Sequence, residues 1–316
     1  MKNSVVCITP LDHIPRVLDR LKQICEVEYV PYIEKDDLRN LLIEKRIESI
    51  FTNPNKQKYK IDRSLLEGTF VKFINTASTG LNHISIHDCN NLQINVLSLT
   101  KDYDLIRQLP STAELAFGLA LSLMRRIPQS FDDVKLGNWN YEPYVGRQLQ
   151  GLTAGIIGYG RLGTFMARYC HSFGMNVLVN DPYKNVFDHE QVNKERIFEE
   201  CDLISLHVHV KEDTINMINS DSIEMMKRKP FIVNTSRGDI VNELHVSQAV
   251  RLGSISGYGT DVLVDEFSDN LSNSEIIRLA KEGYNVVITP HIGGMSIEGQ
   301  EKAFMYAVEK FNLLRK

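Results

Sequence analysis

Short apolar runs alternate with amphipathic stretches along the whole chain. In the first third, runs at 5–8, 27–30, 49–51, 73–75 and 94–97 predict strands. Between them, 11–24 and 36–45 repeat apolar residues at helical spacing. Asn53-Pro54-Asn55 stops the third run with turn residues. The character changes at Ser111. Residues 112–126 are rich in Ala, Leu and Met with Pro128 just beyond, a strong helix followed by a stop signal. Residues 131–150 hold the only tryptophan, Trp139, and predict an irregular arm or a helix plus a loop. After Gly151 the alternation is cleaner. Strands are predicted at 153–157, 176–180, 203–208, 231–234, 257–263 and 286–289. Helices are predicted up to about 173, over 221–229 before Pro230, and over 244–252 before Gly253. Residues 296–314 form one last helix. Strands alternating with helices build parallel sheets.

Composition narrows the class. Hydrophobic residues make up 43% and charged residues 24%, which excludes disordered and collagen-like chains. A length of 316 residues points to two domains. A net charge of −4 argues against nucleic acid as a partner. Cys7, Cys25, Cys89, Cys170 and Cys201 are scattered and include no C-x-x-C pair, so no zinc pattern or other metal site is expected. Free thiols in a reducing compartment are the expectation. The run at 115–124 is too short to span a bilayer, which needs about 18 apolar residues. The N-terminus reads as a strand and a turn rather than a signal peptide. The expected protein is soluble and cytoplasmic, with no membrane partner.

One motif binds something. Gly158-Tyr159-Gly160-Arg161-Leu162-Gly163 is a G-x-G-x-x-G between a predicted strand and a predicted helix. Gly158 suits the tight turn, Gly160 the approach of a pyrophosphate, and Gly163 the close packing of helix on strand. Amides at the helix start and the helix dipole favour phosphate. Asp181 ends the next strand, placed to accept hydrogen bonds from a ribose diol and to repel a 2′-phosphate. NAD is therefore expected rather than NADP, although Lys184 follows closely and offers a cation.

Chemistry falls beyond three later strands. In an open parallel sheet, ligands bind outside the carboxyl ends. Arg237, Glu266 and His291 follow three successive predicted strands of the second half. A guanidinium can hold a substrate carboxylate and polarise the adjacent carbonyl. An imidazole can exchange a proton with the carbonyl or hydroxyl oxygen. A carboxylate on the far ring nitrogen orients the ring and stabilises its protonated form. That set suits hydride transfer between a nicotinamide and a 2-hydroxy acid or 2-oxo acid.

The chain resembles the D-isomer-specific 2-hydroxyacid dehydrogenases. The resemblance runs from about Thr76 to Gly294. It is carried by the glycine motif with Asp181, by Thr112-Ala113-Glu114, by Arg125-Arg126-Ile127-Pro128, by Asn234-Thr235-Ser236-Arg237-Gly238, by 261–266, and by Thr289-Pro290-His291-Ile292-Gly293-Gly294. The order Arg237, Glu266, His291 matches the family's catalytic order. The resemblance implies two doubly wound parallel-sheet α/β domains: a Rossmann-type NAD domain over 106–294, and a flavodoxin-like, split substrate domain from 1–105 and 295–316. The cleft between them would close on the substrate. Beyond the glycine motif and Asp181, it implies cofactor contacts at Arg161, Leu162, Thr112, His207, Thr235, Ser236, Asp261 and His291. Asp261 matches the residue that contacts the nicotinamide carboxamide. Substrate contacts are implied at Thr79, Gly80, Asn53 and Arg237, with backbone amides of the 77–82 loop binding the carboxylate. The helix and arm over 111–150 imply a homodimer.

The sequence also departs from the family's pattern. Ser78 stands where relatives usually have glycine, His209 where proline is common, Ser85 where Asp is usual, and no proline follows Glu266. No C-terminal regulatory domain is expected. Lys56 and Lys58 could meet an acidic substrate, or form a solvated basic loop with Lys60. The alternative function is an NAD(H)-sensing interaction protein on the same scaffold, like the relatives that act as corepressors.

Overall fold

The computed structural model describes residues 4–54, 59–264, 266, 268 and 271–314. Asn55, Lys56 and Lys58 of the proposed acidic-substrate loop lie outside the described residues. The chain forms two compact units, 1–109 with 295–316, and 110–294.

The first unit is built on strands β1 (Ser4–Cys7), β2 (Glu26–Tyr29), β3 (Ser49–Thr52), β4 (Phe73–Thr76) and β5 (Asn95–Leu97). All pairings are parallel and the order is β2-β1-β3-β4-β5, the flavodoxin-like arrangement. Alternate side chains serve opposite faces. Val5 and Cys7 join Phe51 against helices Pro15–Ile24 and Ile297–Leu314. Val6 and Ile8 join Ile50 and Ile74 against Leu38, Leu42 and Leu65 on the other side. Burial on both faces explains why these strands read as continuous apolar runs. The first helix starts at Pro15 rather than at residue 11, because proline's fixed φ and missing N–H suit the first helical position.

The second unit holds β6 (Thr153–Ile157), β7 (Asn176–Asn180), β8 (Glu190–Gln191), β9 (Leu203–Leu206), β10 (Phe231–Asn234), β11 (Gly257–Thr260) and β12 (Val286–Ile288). They order as β12-β11-β10-β9-β6-β7-β8, all parallel, a doubly wound sheet of Rossmann type. Among the described residues the sheet has seven strands where the pattern predicted six. The extra strand, β8, is a two-residue exposed edge with no apolar run to betray it. The predicted helix at 221–229 shortens to Ser220–Glu224, capped by Asn219 through a reciprocal capping box. Helices Ser111–Met124 and Arg161–Ser172 cover one face around Ala154 and Ile156. The other face packs Ile157, Ile204 and Ile232 against the helices that carry Ile197, Val246 and Ile276. The arm resolves into helix Ile127–Lys135 and a 3-10 turn, Glu142–Tyr144. All five cysteines are buried and outside any disulfide. Among the described residues no helix is long and apolar enough to cross a membrane.

Candidate active site

The glycine turn is set by close packing. Gly158 has φ +90°, a conformation that L side chains rarely adopt, and a Cβ there would lie 2.4 Å from the His207 carbonyl oxygen. A Cβ on Gly163 would lie 1.9 Å from the Gly158 carbonyl oxygen, so the helix start sits against the turn itself. Gly160 differs: nothing lies within 4 Å of a Cβ built on it. It is the N-cap of Arg161–Ser172 and supplies no side-chain cap. The first-turn amides, including those of Leu162 and Gly163, have no intrahelical acceptor, which is the arrangement that binds phosphate.

Asp181 closes this turn. Its carboxylate is 9% exposed, and its two oxygens accept the amides of Tyr159 at 2.8 Å and Tyr183 at 2.9 Å. Each oxygen keeps a second lone pair for a ligand hydroxyl. Lys184 Nζ donates to the Tyr159 carbonyl at 3.1 Å, which fastens this cation to the same turn.

Next to the turn, β9 and β10 end side by side. His207 Nε2 bonds Ser205 Oγ at 2.9 Å, while its buried Nδ1 has no partner among the described residues. Burial pushes this imidazole down to about 4. The Thr235 hydroxyl is also buried and has no partner among the described residues. Ser236 Oγ donates to the Leu206 carbonyl at 2.8 Å. Asn234 folds the segment between them: its Oδ1 accepts the Ser236 amide at 3.0 Å and its Nδ2 donates to the Arg237 carbonyl at 2.9 Å. Arg237 Nη1 rests on the Ser236 carbonyl at 2.6 Å. Buried polar atoms normally find partners, so two orphans beside the glycine turn and a carboxylate fit a dinucleotide.

The third cluster joins the ends of β11 and β12. A Cβ on Gly238 would lie 2.3 Å from the Leu263 carbonyl carbon and the Val264 nitrogen, which sets the Arg237 turn against the segment leading to Glu266. Glu266 Oε1 lies 2.9 Å from His291 Nδ1, and Oε2 accepts the Leu263 amide at 3.4 Å. His291 has φ +56°, uncommon outside glycine. Asp261 holds that turn. One of its oxygens accepts the Thr289 hydroxyl at 2.6 Å and the Ile292 amide at 2.8 Å, and the other accepts the Gly293 amide at 2.8 Å. Burial raises the Asp261 carboxyl above its ordinary range, with these bonds acting against that rise. A Cβ on Gly293 would meet Thr112 Cγ2 at 2.9 Å, so Thr112 lies against the same turn. A carboxylate-backed imidazole is an acid–base unit.

Glu266 and His291 are thus in direct contact, and Gly158 meets His207. Asn53, Thr79 and Gly80 belong to the first unit, just past β3 and β4. Sequence reasoning missed Asn234 and Ser205. The Asn-x-Ser spacing just after a strand signals a side-chain turn. Nothing local marks Ser205, a small polar residue inside an apolar strand.

Residues 117–293 match the model of the D-isomer specific 2-hydroxyacid dehydrogenase NAD-binding domain. The chain belongs to this family. A hydroxypyruvate reductase of Thermotoga maritima is 34% identical to this 2-hydroxyacid dehydrogenase over 95% of the chain and 94% of the relative. A D-3-phosphoglycerate dehydrogenase of Archaeoglobus fulgidus is 31% identical over 80% of the chain, which spans only 47% of that longer protein. Among solved structures, a D-lactate dehydrogenase of Aquifex aeolicus complexed with NAD and lactic acid superposes with a TM-score of 0.80 at 29% identity, covering 99% of this chain and 95% of that one. The dehydrogenase is an NAD-dependent oxidoreductase of hydroxy and oxo acids.

Proposed function

We propose that the chain interconverts a small 2-hydroxy acid and its 2-oxo acid, with Arg237, Glu266 and His291 as its working groups. The observation that carries the assignment is the 2.9 Å contact between His291 Nδ1 and Glu266 Oε1 at the carboxyl edge of the NAD-binding sheet. NAD, when bound, accepts or supplies the hydride. Arg237 pairs with the substrate carboxylate and draws electron density from the adjacent carbonyl. His291, through Nε2, gives a proton to the carbonyl oxygen in reduction and takes it from the hydroxyl in oxidation. Glu266 fixes the ring and balances its charge.

Gly158, Gly160, Arg161, Leu162 and Gly163 are assigned the pyrophosphate, and Asp181 the ribose diol. Thr112, His207, Thr235, Ser236 and Asp261 are assigned the nicotinamide half. The loop amides at Thr79 and Gly80 are assigned the substrate carboxylate, and Asn53 the substrate side chain. The names of its relatives support small substrates such as hydroxypyruvate. A homodimer is proposed through 111–150. Its support is the arm's exposed Phe131, Trp139 and Tyr141, beside a groove of about 510 Å³ whose lining mixes Met124, Val145 and Phe231 with Arg126, Arg147 and Glu282. Five buried cysteines outside any disulfide support the cytoplasm as its compartment. NADH oxidation by a panel of 2-oxo acids, with His291→Ala as control, tests the reading.

A further inference from the structure

The surroundings of Ser78 give it a task. Its hydroxyl donates to the Gly80 carbonyl at 2.7 Å. It also lies 3.0 Å from Thr76 Oγ1, which lies 3.1 Å from His83 Nε2. Proton counting fixes the direction of this chain. A carbonyl only accepts, so the single Ser78 proton goes to Gly80. Ser78 must then accept from Thr76, and Thr76, its own proton used, must accept from His83. His83 is therefore protonated on Nε2. Its Nδ1 is the buried ring atom without a partner among the described residues. Burial holds this ring neutral, pushed down to about 4.

A second relay lies alongside. Thr100 Oγ1 donates to the Thr79 carbonyl at 3.2 Å and takes its own proton partner from Ser98 Oγ at 3.0 Å. The Leu99 amide donates to the Ser78 carbonyl at 3.0 Å. Three successive carbonyls, at 78, 79 and 80, are thus pinned. In a trans peptide the next amide points opposite to the carbonyl, and the described residues contain no cis bond. The amides of Thr79, Gly80 and Leu81 therefore face away from these partners, and none has an acceptor among the described residues.

We propose that Ser78, driven by Thr76 and His83, is a positioning residue that pre-sets these amides for the carboxylate of a 2-oxo acid. The proposal rests on the carboxylate-binding reading of this loop given above. Without that hydroxyl the Gly80 carbonyl loses its donor, and ordering the loop falls to the substrate. Serine orders it beforehand, and pre-organisation tightens binding without touching the reacting atoms.

The test measures oxalate binding by calorimetry, together with KM and kcat for hydroxypyruvate and the NADH dissociation constant. Ser78→Ala should weaken oxalate and raise KM about tenfold. Its kcat and NADH affinity should stay within about twofold, as expected for an interaction made equally in ground and transition states. Thr76→Val should behave like Ser78→Ala, and Thr76→Ser, which restores the hydroxyl, like the wild type. Unchanged oxalate affinity and KM in Ser78→Ala overturn the proposal, as does a fall in kcat with KM unmoved, or a wild type that binds no oxalate. A wild type that binds oxalate and loses that affinity in Ser78→Ala and Thr76→Val, yet reduces no 2-oxo acid, removes the dehydrogenase assignment and leaves the relay standing.

Discussion

His291 and Glu266 meet through the Nδ1 edge of the ring at 2.9 Å, while Asp261 separately holds the turn that carries the histidine. Ring orientation and backbone position are therefore set by different carboxylates. His291→Ala should lower kcat by about 10³-fold, within the range of general acid–base catalysis, with NADH binding kept. Glu266→Gln keeps an acceptor oxygen but removes the charge, so its loss should be smaller than that of His291→Ala. Steady-state rates and NADH fluorescence titration check both.

The fingerprint glycines should separate by role. Gly160→Ala meets no protein atom within 4 Å, so thermal stability should hold while NADH affinity falls about tenfold or more as the methyl enters the pyrophosphate's space. Gly163→Ala forces its methyl into the Gly158 carbonyl and should lower both stability and affinity. Melting curves beside NADH titrations distinguish the two. Equal loss of stability in both variants would refute the assignment of Gly160 to the cofactor.

Asp181→Ala should weaken NADH far more than NADPH, because it removes the proposed diol acceptor together with the charge proposed to repel a 2′-phosphate. It also strips the acceptor from the Tyr159 and Tyr183 amides, at a cost of about 1–3 kcal/mol for each that stays buried. Dissociation constants for the two cofactors measure the ratio. A parallel loss of both would contradict the ribose assignment.

Acid should act through two histidines. His83 and His207 are each depressed by burial from 6.5 to about 4 in the folded chain. The unfolded chain therefore binds more protons between those values, and stability falls as pH drops through that window. Between pH 7 and 5 the loss should be on the order of 2 kcal/mol per ring. Urea unfolding at the two pH values measures it, and His207→Asn should lose less on acidification.

Much of the second unit was legible in the sequence because buried parallel strands read as apolar runs and the glycine motif falls between one of them and a helix. The edge strand at 190–191 was not, since two exposed polar residues carry no periodicity. Arg237, Glu266 and His291 stand out in the sequence as ionisable residues past strand ends, and their roles remain proposals. The contact between Glu266 and His291 joins residues 25 apart and is displayed only by the folded chain. Asn234, Thr76 and His83 act through hydrogen bonds whose partners cannot be told from solvent by sequence alone. Ser78 was visible only as a departure, and its partners came from the structure.

The most direct measurement is NADH oxidation by hydroxypyruvate, glyoxylate, pyruvate and bulkier 2-oxo acids, in wild type and His291→Ala side by side. The account predicts turnover with at least one small 2-oxo acid that is lost in the variant while NADH still binds. Turnover that survives in His291→Ala would contradict the proton-transfer assignment. NADH binding with no turnover on any acid would contradict the catalytic reading and favour an NAD-sensing role.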